Sequence, residues 1–265
     1  MKKVVLKVML GVCVLSVVTF SVLIIRELYI DSQSRSFYDD VANIETRPRE
    51  PAVAGNAQNG ANQNPDGTPG DEPAEPEEWL PYVDFDALME LFPEVVGWIK
   101  LDDTPIDYPI VQFSDNDFFL TRLPDGTAHR NGSIFLDYRN KDDFSDKSIL
   151  IYGHETRAGD MFGTLKHYRS QEFYDSNPVI DIYTPEKDYK LILFAGHLAH
   201  SIRDHPPLEF ESDDDFLYYI RQIRNKSVFN SNVEVTAEDK IVSLVTCAYD
   251  FNEARLIVAG ILIER

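Results

Sequence analysis

Lys240-Ile-Val-Ser-Leu-Val-Thr-Cys247 is an apolar, β-branched run that ends in a thiol, and Arg255-Leu-Ile-Val258 opens a second such run that continues through Ile261-Leu-Ile263. Both read as buried strands. As antiparallel neighbours joined by residues 248–254, they bring Cys247 and Arg255 to one rim. The only other cysteine, Cys13, lies in an N-terminal apolar segment. Cys247 therefore has no disulfide partner in the folded part, and is either a small buried hydrophobe or a nucleophile. A guanidinium fixed beside it would favour the thiolate and bind an oxyanion. An edge-strand arginine paired with Asp or Glu fits the same spacing in so acidic a chain.

Upstream, the pattern is again of strands. Gly97-Trp-Ile-Lys-Leu101, Ile106-Asp-Tyr-Pro-Ile-Val111, Ser133-Ile-Phe-Leu136, Ser148-Ile-Leu-Ile-Tyr152, Val179-Ile-Asp-Ile-Tyr183 and Tyr189-Lys-Leu-Ile-Leu-Phe194 are short runs bounded by turn-forming residues. With the two final runs they make about eight strands in one domain, which predicts a mainly β fold with a closed or nearly closed barrel. Asp84 caps a helix whose apolar positions Phe85, Leu88 and Met89 recur at helical spacing, and Pro93 stops it. Ser212 caps a second, carrying Asp213 to Asp215 in its first turn and Phe216, Tyr219, Ile220 and Ile223 on one stripe. A shorter helix is expected from Met161 to Tyr168.

The chain divides into three. Val8 to Ile25 is uncharged and apolar, about long enough to cross a bilayer's hydrocarbon core. Lys2, Lys3 and Lys7 precede it, so the N-terminus is expected in the cytoplasm and the remainder outside. No small residues follow the apolar run to permit cleavage, which favours an uncleaved anchor over residues 1–28. Residues 29–78 are expected to form a flexible extracellular linker, because the stretch from Thr46 is rich in Pro, Gly, Asn and Ala and has almost nothing to bury. Residues 79–265 are large enough for one domain with a full core.

A net charge of −20 excludes the basic stripe that nucleic-acid binding needs and disfavours adhesion to anionic lipid. Asp142-Asp143 and Asp213-Asp214-Asp215 lack the alternating oxygen ligands and central Gly of a calcium loop, so they read as solvated faces. His197 and His200 have metal-ligand spacing but no third ligand nearby. No metal or cofactor is expected. Of six histidines, His154 stands out, since it follows a buried-looking strand at a turn-permitting Gly153. His129, His167 and His205 read as ordinary exposed residues.

Ser243-Leu-Val-Thr-Cys247 followed by Arg255 resembles the T-L-x-T-C…R signature of the sortases, membrane-anchored cysteine transpeptidases of Gram-positive bacteria. Tyr152-Gly-His154 resembles their histidine motif. Val95-Val-Gly-Trp-Ile-Lys100, Asn131-Gly-Ser-Ile-Phe-Leu-Asp137, Met161-Phe-Gly-Thr-Leu165 and the helical insertion before the cysteine strand are similar to class B members. Ser243 departs from the usual Thr but keeps a hydroxyl. The resemblance implies an eight-stranded sortase barrel with an N-terminal helix, with Cys247 as nucleophile, His154 as general acid and Arg255 as oxyanion stabiliser. Thr246, Ala248 and Ser243 would contact substrate, the Ala248 N–H as a second oxyanion donor. The implied partners are secreted proteins carrying a C-terminal sorting signal cleaved after Thr, and a peptidoglycan-precursor amine that resolves the thioester. A hydrolytic cysteine peptidase would use the same thiol and imidazole without an amine acceptor.

Overall fold

The computed structural model describes residues 2–45, 47–48, 81–156, 158–248 and 250–265. Eight strands build a barrel: β1 (Val95–Lys100), β2 (Asp107–Val111), β3 (Ile134–Leu136), β4 (Ser148–Tyr152), β5 (Val179–Tyr183), β6 (Asp188–His200), β7 (Ile241–Cys247) and β8 (Ala254–Glu264). Going round, the order is β8-β6-β5-β1-β2-β3-β4-β7, and β7 closes onto β8. All neighbours are antiparallel except β2 with β3 and β4 with β7.

The two-residue period of each strand divides its side chains between the interior and the outer wall. Val242, Leu244, Leu256 and Val258 enter the barrel core with Ile149 and Ile151. The intervening residues face outward, where helices cover two sectors of wall. One sector belongs to α2 (Phe85–Leu91), whose Asp84 carboxylate accepts from the Ala87 N–H at 3.0 Å. There Phe85 and Leu88 pack on Trp98, Val111 and Phe135. The other belongs to α4 (Asp213–Asn225), which follows α3 (Gln171–Ser176) in the chain and is capped by the Ser212 hydroxyl. It lays Phe216, Ile220 and Ile223 on Phe194, Ile241 and Ile261. Between these sectors, the wall of Ala199, Val245 and Ile257 has only the partly buried Tyr152 packed against it.

Two expectations need correction. The linker does not begin at residue 29: α1 is one helix from Lys2 to Glu45. Ile30, Phe37, Tyr38 and Val41 continue its apolar spacing past the membrane-length stretch, and the head buries Tyr38 and Val41 to 5% and 3% exposure. Each such burial stabilises by about 1.5–3 kcal/mol, which a mobile tether would forgo. Ion pairs from Arg130 to Glu27 and Asp31, and from Arg35 to Asp160, fasten the same segment. The rest of the expected tether lies outside the described residues, apart from Arg47–Pro48, which pairs antiparallel with Pro81–Tyr82. The chain thus leaves the head beside the point where it returns. The second correction is local. The expected helix from Met161 is a 3-10 helix, Phe162–Arg169, with α3 directly after it.

Candidate active site

Arg255 lies directly opposite Cys247 in the β7–β8 register, so both side chains leave the sheet on the same face as neighbours. On the other side of β7 runs β4, parallel, with Tyr152 beside Val245. The Gly153 N–H continues that ladder to the Val245 carbonyl at 3.1 Å, which brings His154 level with Cys247. The thiol therefore stands on a middle strand with an imidazole on one flank and a guanidinium on the other. All three line a groove of about 280 Å³ on the uncovered wall, floored by Phe135, Ala199, Val245 and Ile257.

Gly153 is required between Tyr152 and His154. A Cβ there would lie 2.4 Å from Ile134 Cδ1 and 2.8 Å from the buried Phe162 ring. The His154 ring is oriented from behind, since its Nε2 lies 2.8 Å from the Leu120 carbonyl. A carbonyl only accepts, so Nε2 carries the hydrogen and Nδ1 is the nitrogen left for a reacting group. Cys247 is half-buried, and Arg255 keeps 31% of its side chain exposed. The guanidinium donates to the Ala254 carbonyl at 2.9 Å and approaches Glu253 at 3.8 Å, leaving further N–H groups for a ligand.

The remaining sequence candidates fare differently. The Ala248 N–H already donates to the Ala254 carbonyl at 3.0 Å, closing the β7–β8 hairpin, so it is not available as an oxyanion donor. Ser243 is fully buried on the wall beneath α4, opposite Ala259, and is not among the groove's lining residues. Strand alternation separates it from substrate: it shares the face of Cys247 but lies four residues down the strand, under the helix. Thr246 borders the groove but is 2% exposed, and its position turns the hydroxyl away from the Cys247 face. That hydroxyl is buried without a hydrogen-bond partner, on the face opposite Cys247. His197 and His200, three apart on β6, go to opposite faces, and no cluster of three metal-ligating side chains occurs among the described residues.

Three groove residues have partnerships that the sequence reading did not assign. The Tyr152 hydroxyl donates to Asp137 Oδ2 at 3.0 Å, and His205 Nε2 meets the same hydroxyl at 3.1 Å. Asp137 is fully buried and also accepts from Arg139 Nε and Nη2, each at 2.8 Å, and from Asn116 at 3.0 Å. Burial raises its pKa, but the bonds from Arg139, Asn116 and Tyr152 outweigh that and hold the carboxyl down at about 2. Around this fixed anion are gathered Tyr152 from the wall, Asn116 from one lip and His205 from the other. Tyr152 was legible, since it sits two residues before His154 on one strand face. His205 and Asn116 lie in aperiodic loops that carry no signal.

No family model matches the chain. It is 35% identical to sortase B of Listeria monocytogenes over 180 residues, covering 67% of this chain and 73% of that protein. It is 32% identical to sortase B of Staphylococcus aureus over 182 residues, covering 68% and 75% respectively. Among solved structures, a Staphylococcus aureus sortase B–substrate complex superposes with a TM-score of 0.65 at 31% identity, covering 68% of this chain and 84% of that one. Sortase B from Bacillus anthracis in complex with AAEK1 gives 0.72 at 30% identity, covering 90% and 100%. The barrel, its helix-covered sectors and the Cys-His-Arg groove are thus found in a chain that belongs to the sortase B family of cysteine transpeptidases.

Proposed function

We propose that Cys247, His154 and Arg255 carry the transpeptidation, acting on the C-terminal sorting signal of a secreted protein. The Cys247 thiolate attacks the carbonyl carbon after the signal's Thr, forming the C–S bond as the carbonyl becomes an oxyanion. Arg255, held directly opposite, supplies the N–H groups that stabilise that charge. Collapse breaks the C–N bond, and the departing amine takes its proton from Nδ1 of the His154 imidazolium, the nitrogen not committed to Leu120. A thioester remains on Cys247. A primary amine, supplied by peptidoglycan precursor or another protein, attacks it, returns a proton to His154 and releases the thiolate.

The supporting observation is the register that sets Arg255 opposite Cys247 and His154 level with it. The groove's apolar floor suits an extended peptide, and the relative solved with its substrate shares the barrel. The helix over Met9–Ala42 is long and apolar enough to cross a membrane. Together with the lysines before it, that supports a single-pass anchor with a cytoplasmic N-terminus and an extracellular head. Incubation with a sorting-signal peptide, with and without a primary amine, tests the reading. A new amide joining peptide to amine is expected. Hydrolysis alone under both conditions would make the protein a thiol peptidase instead.

A further inference from the structure

We propose that the polar half of α1 is a positioning element for the catalytic imidazole, acting through the loop of residues 119–133. This rests on His154 being the general acid.

The contacts form an unbroken series. Tyr38 is 5% exposed, packs edge-on against Tyr108 at 4.9 Å, and donates its hydroxyl to the Gly132 carbonyl at 3.0 Å. One residue pair away, His129 Nε2–H donates to the Ile30 carbonyl at 3.0 Å, while its Nδ1 accepts from the Asn131 N–H at 3.1 Å. Arg130 adds ion pairs to Glu27 and Asp31. Helix and loop are thus joined by a buried hydroxyl, a ring and a guanidinium within four consecutive loop residues, 129–132.

The loop passes this restraint on to the site. Gly132 adopts φ +56°, and a Cβ there would come within 2.5 Å of the Leu120 carbonyl oxygen and 2.6 Å of the Phe119 oxygen. The Ser133 N–H donates to the Phe119 carbonyl at 2.9 Å, and the His129 N–H to that of Thr121 at 3.0 Å. Leu120 is therefore bracketed by residues bound to strand and helix, and its carbonyl is the group that accepts from His154 Nε2. No freely rotating link separates Tyr38 from the imidazole. A carbonyl fixed on Nε2–H holds the ring's orientation and aims Nδ1 at the leaving amine. Loosening the helix should therefore cost turnover more than binding.

The test uses the full chain in detergent micelles with a sorting-signal peptide and an amine acceptor. Tyr38→Phe removes only the hydroxyl, Gly132→Ala forces the loop from Leu120, and Ile220→Val, on the buried face of α4, controls for a comparable loss of stability. In Tyr38→Phe, kcat should fall about fivefold, the value of one net hydrogen bond, with KM unchanged. Gly132→Ala should lose more, again in kcat rather than KM. Ile220→Val should change neither kcat nor KM. Wild-type kcat in Tyr38→Phe, with His154→Ala inactive, would overturn this inference alone. A His154→Ala variant at wild-type rate would instead overturn the functional reading beneath it.

Discussion

Replacing Asp137 by Asn removes one charge and almost no volume from beneath the groove, so its effect isolates the anion's contribution. In the folded chain Arg139, Asn116 and Tyr152 all direct hydrogens at the carboxylate, and its pKa stands at about 2 against an ordinary 3.8. The folded value is depressed, so the stabilisation is complete above pH 4 and is lost as pH falls toward 2. That difference corresponds to roughly 2 kcal/mol. Asparagine also turns an NH2 toward a set of donors, adding about 1 kcal/mol or more for an unmet bond. Urea unfolding of wild type and Asp137→Asn from pH 8 to 2 reads both effects. The stability gap between them should be flat down to about pH 4 and then narrow by roughly 2 kcal/mol toward pH 2. At neutral pH the variant should melt roughly 5–10 °C lower. A gap that does not change with pH would refute the claim that an ionised Asp137 organises the wall.

Other substitutions probe the site from different directions. Arg255→Lys keeps the charge but loses the planar fork, so kcat should fall about tenfold or more, and wild-type rates would remove Arg255 from the chemistry. Gly153→Ala should displace His154 through contact with Ile134 and Phe162 and suppress turnover while Cys247 still reacts with a small alkylating reagent; unchanged turnover would show that the backbone there has slack. Burial of His197, followed by the nearby Lys226, lowers its pKa from 6.5 to about 4. The unfolded chain takes that proton first, so stability should fall by roughly 3 kcal/mol between pH 6.5 and 4 and the His197→Leu variant should lose that slope. An equal slope in both proteins would assign the acid sensitivity elsewhere.

The barrel was legible because its strands are short, β-branched and bounded by turn residues, and the strands Ser148–Tyr152 and Val179–Tyr183 match the sequence reading to the residue. The Cys247–Arg255 juxtaposition followed from one hairpin and one register, which the pattern specifies strongly because a slip would expose a buried face. What required coordinates was hydrogen-bond bookkeeping. Nothing in the order of residues shows that the Ala248 N–H closes the hairpin, or that Ser243 lies under α4. The docked half of α1 did leave a trace, Ile30, Phe37, Tyr38 and Val41 at helical spacing. The polar composition that follows masked it. His205 and Asn116 reach the groove through loops whose paths depend on tertiary contacts, with no local period to read.

The central claim is that a thioester forms on Cys247 with His154 and Arg255 in attendance. Intact-mass analysis of the full chain, quenched in acid during turnover of a sorting-signal peptide, measures this directly. The enzyme should gain the mass of the peptide up to its Thr, mapped to Cys247, lose it on adding a primary amine, and show no adduct in Cys247→Ala. Peptide cleavage by Cys247→Ala, or an adduct mapped to another residue, would contradict the account.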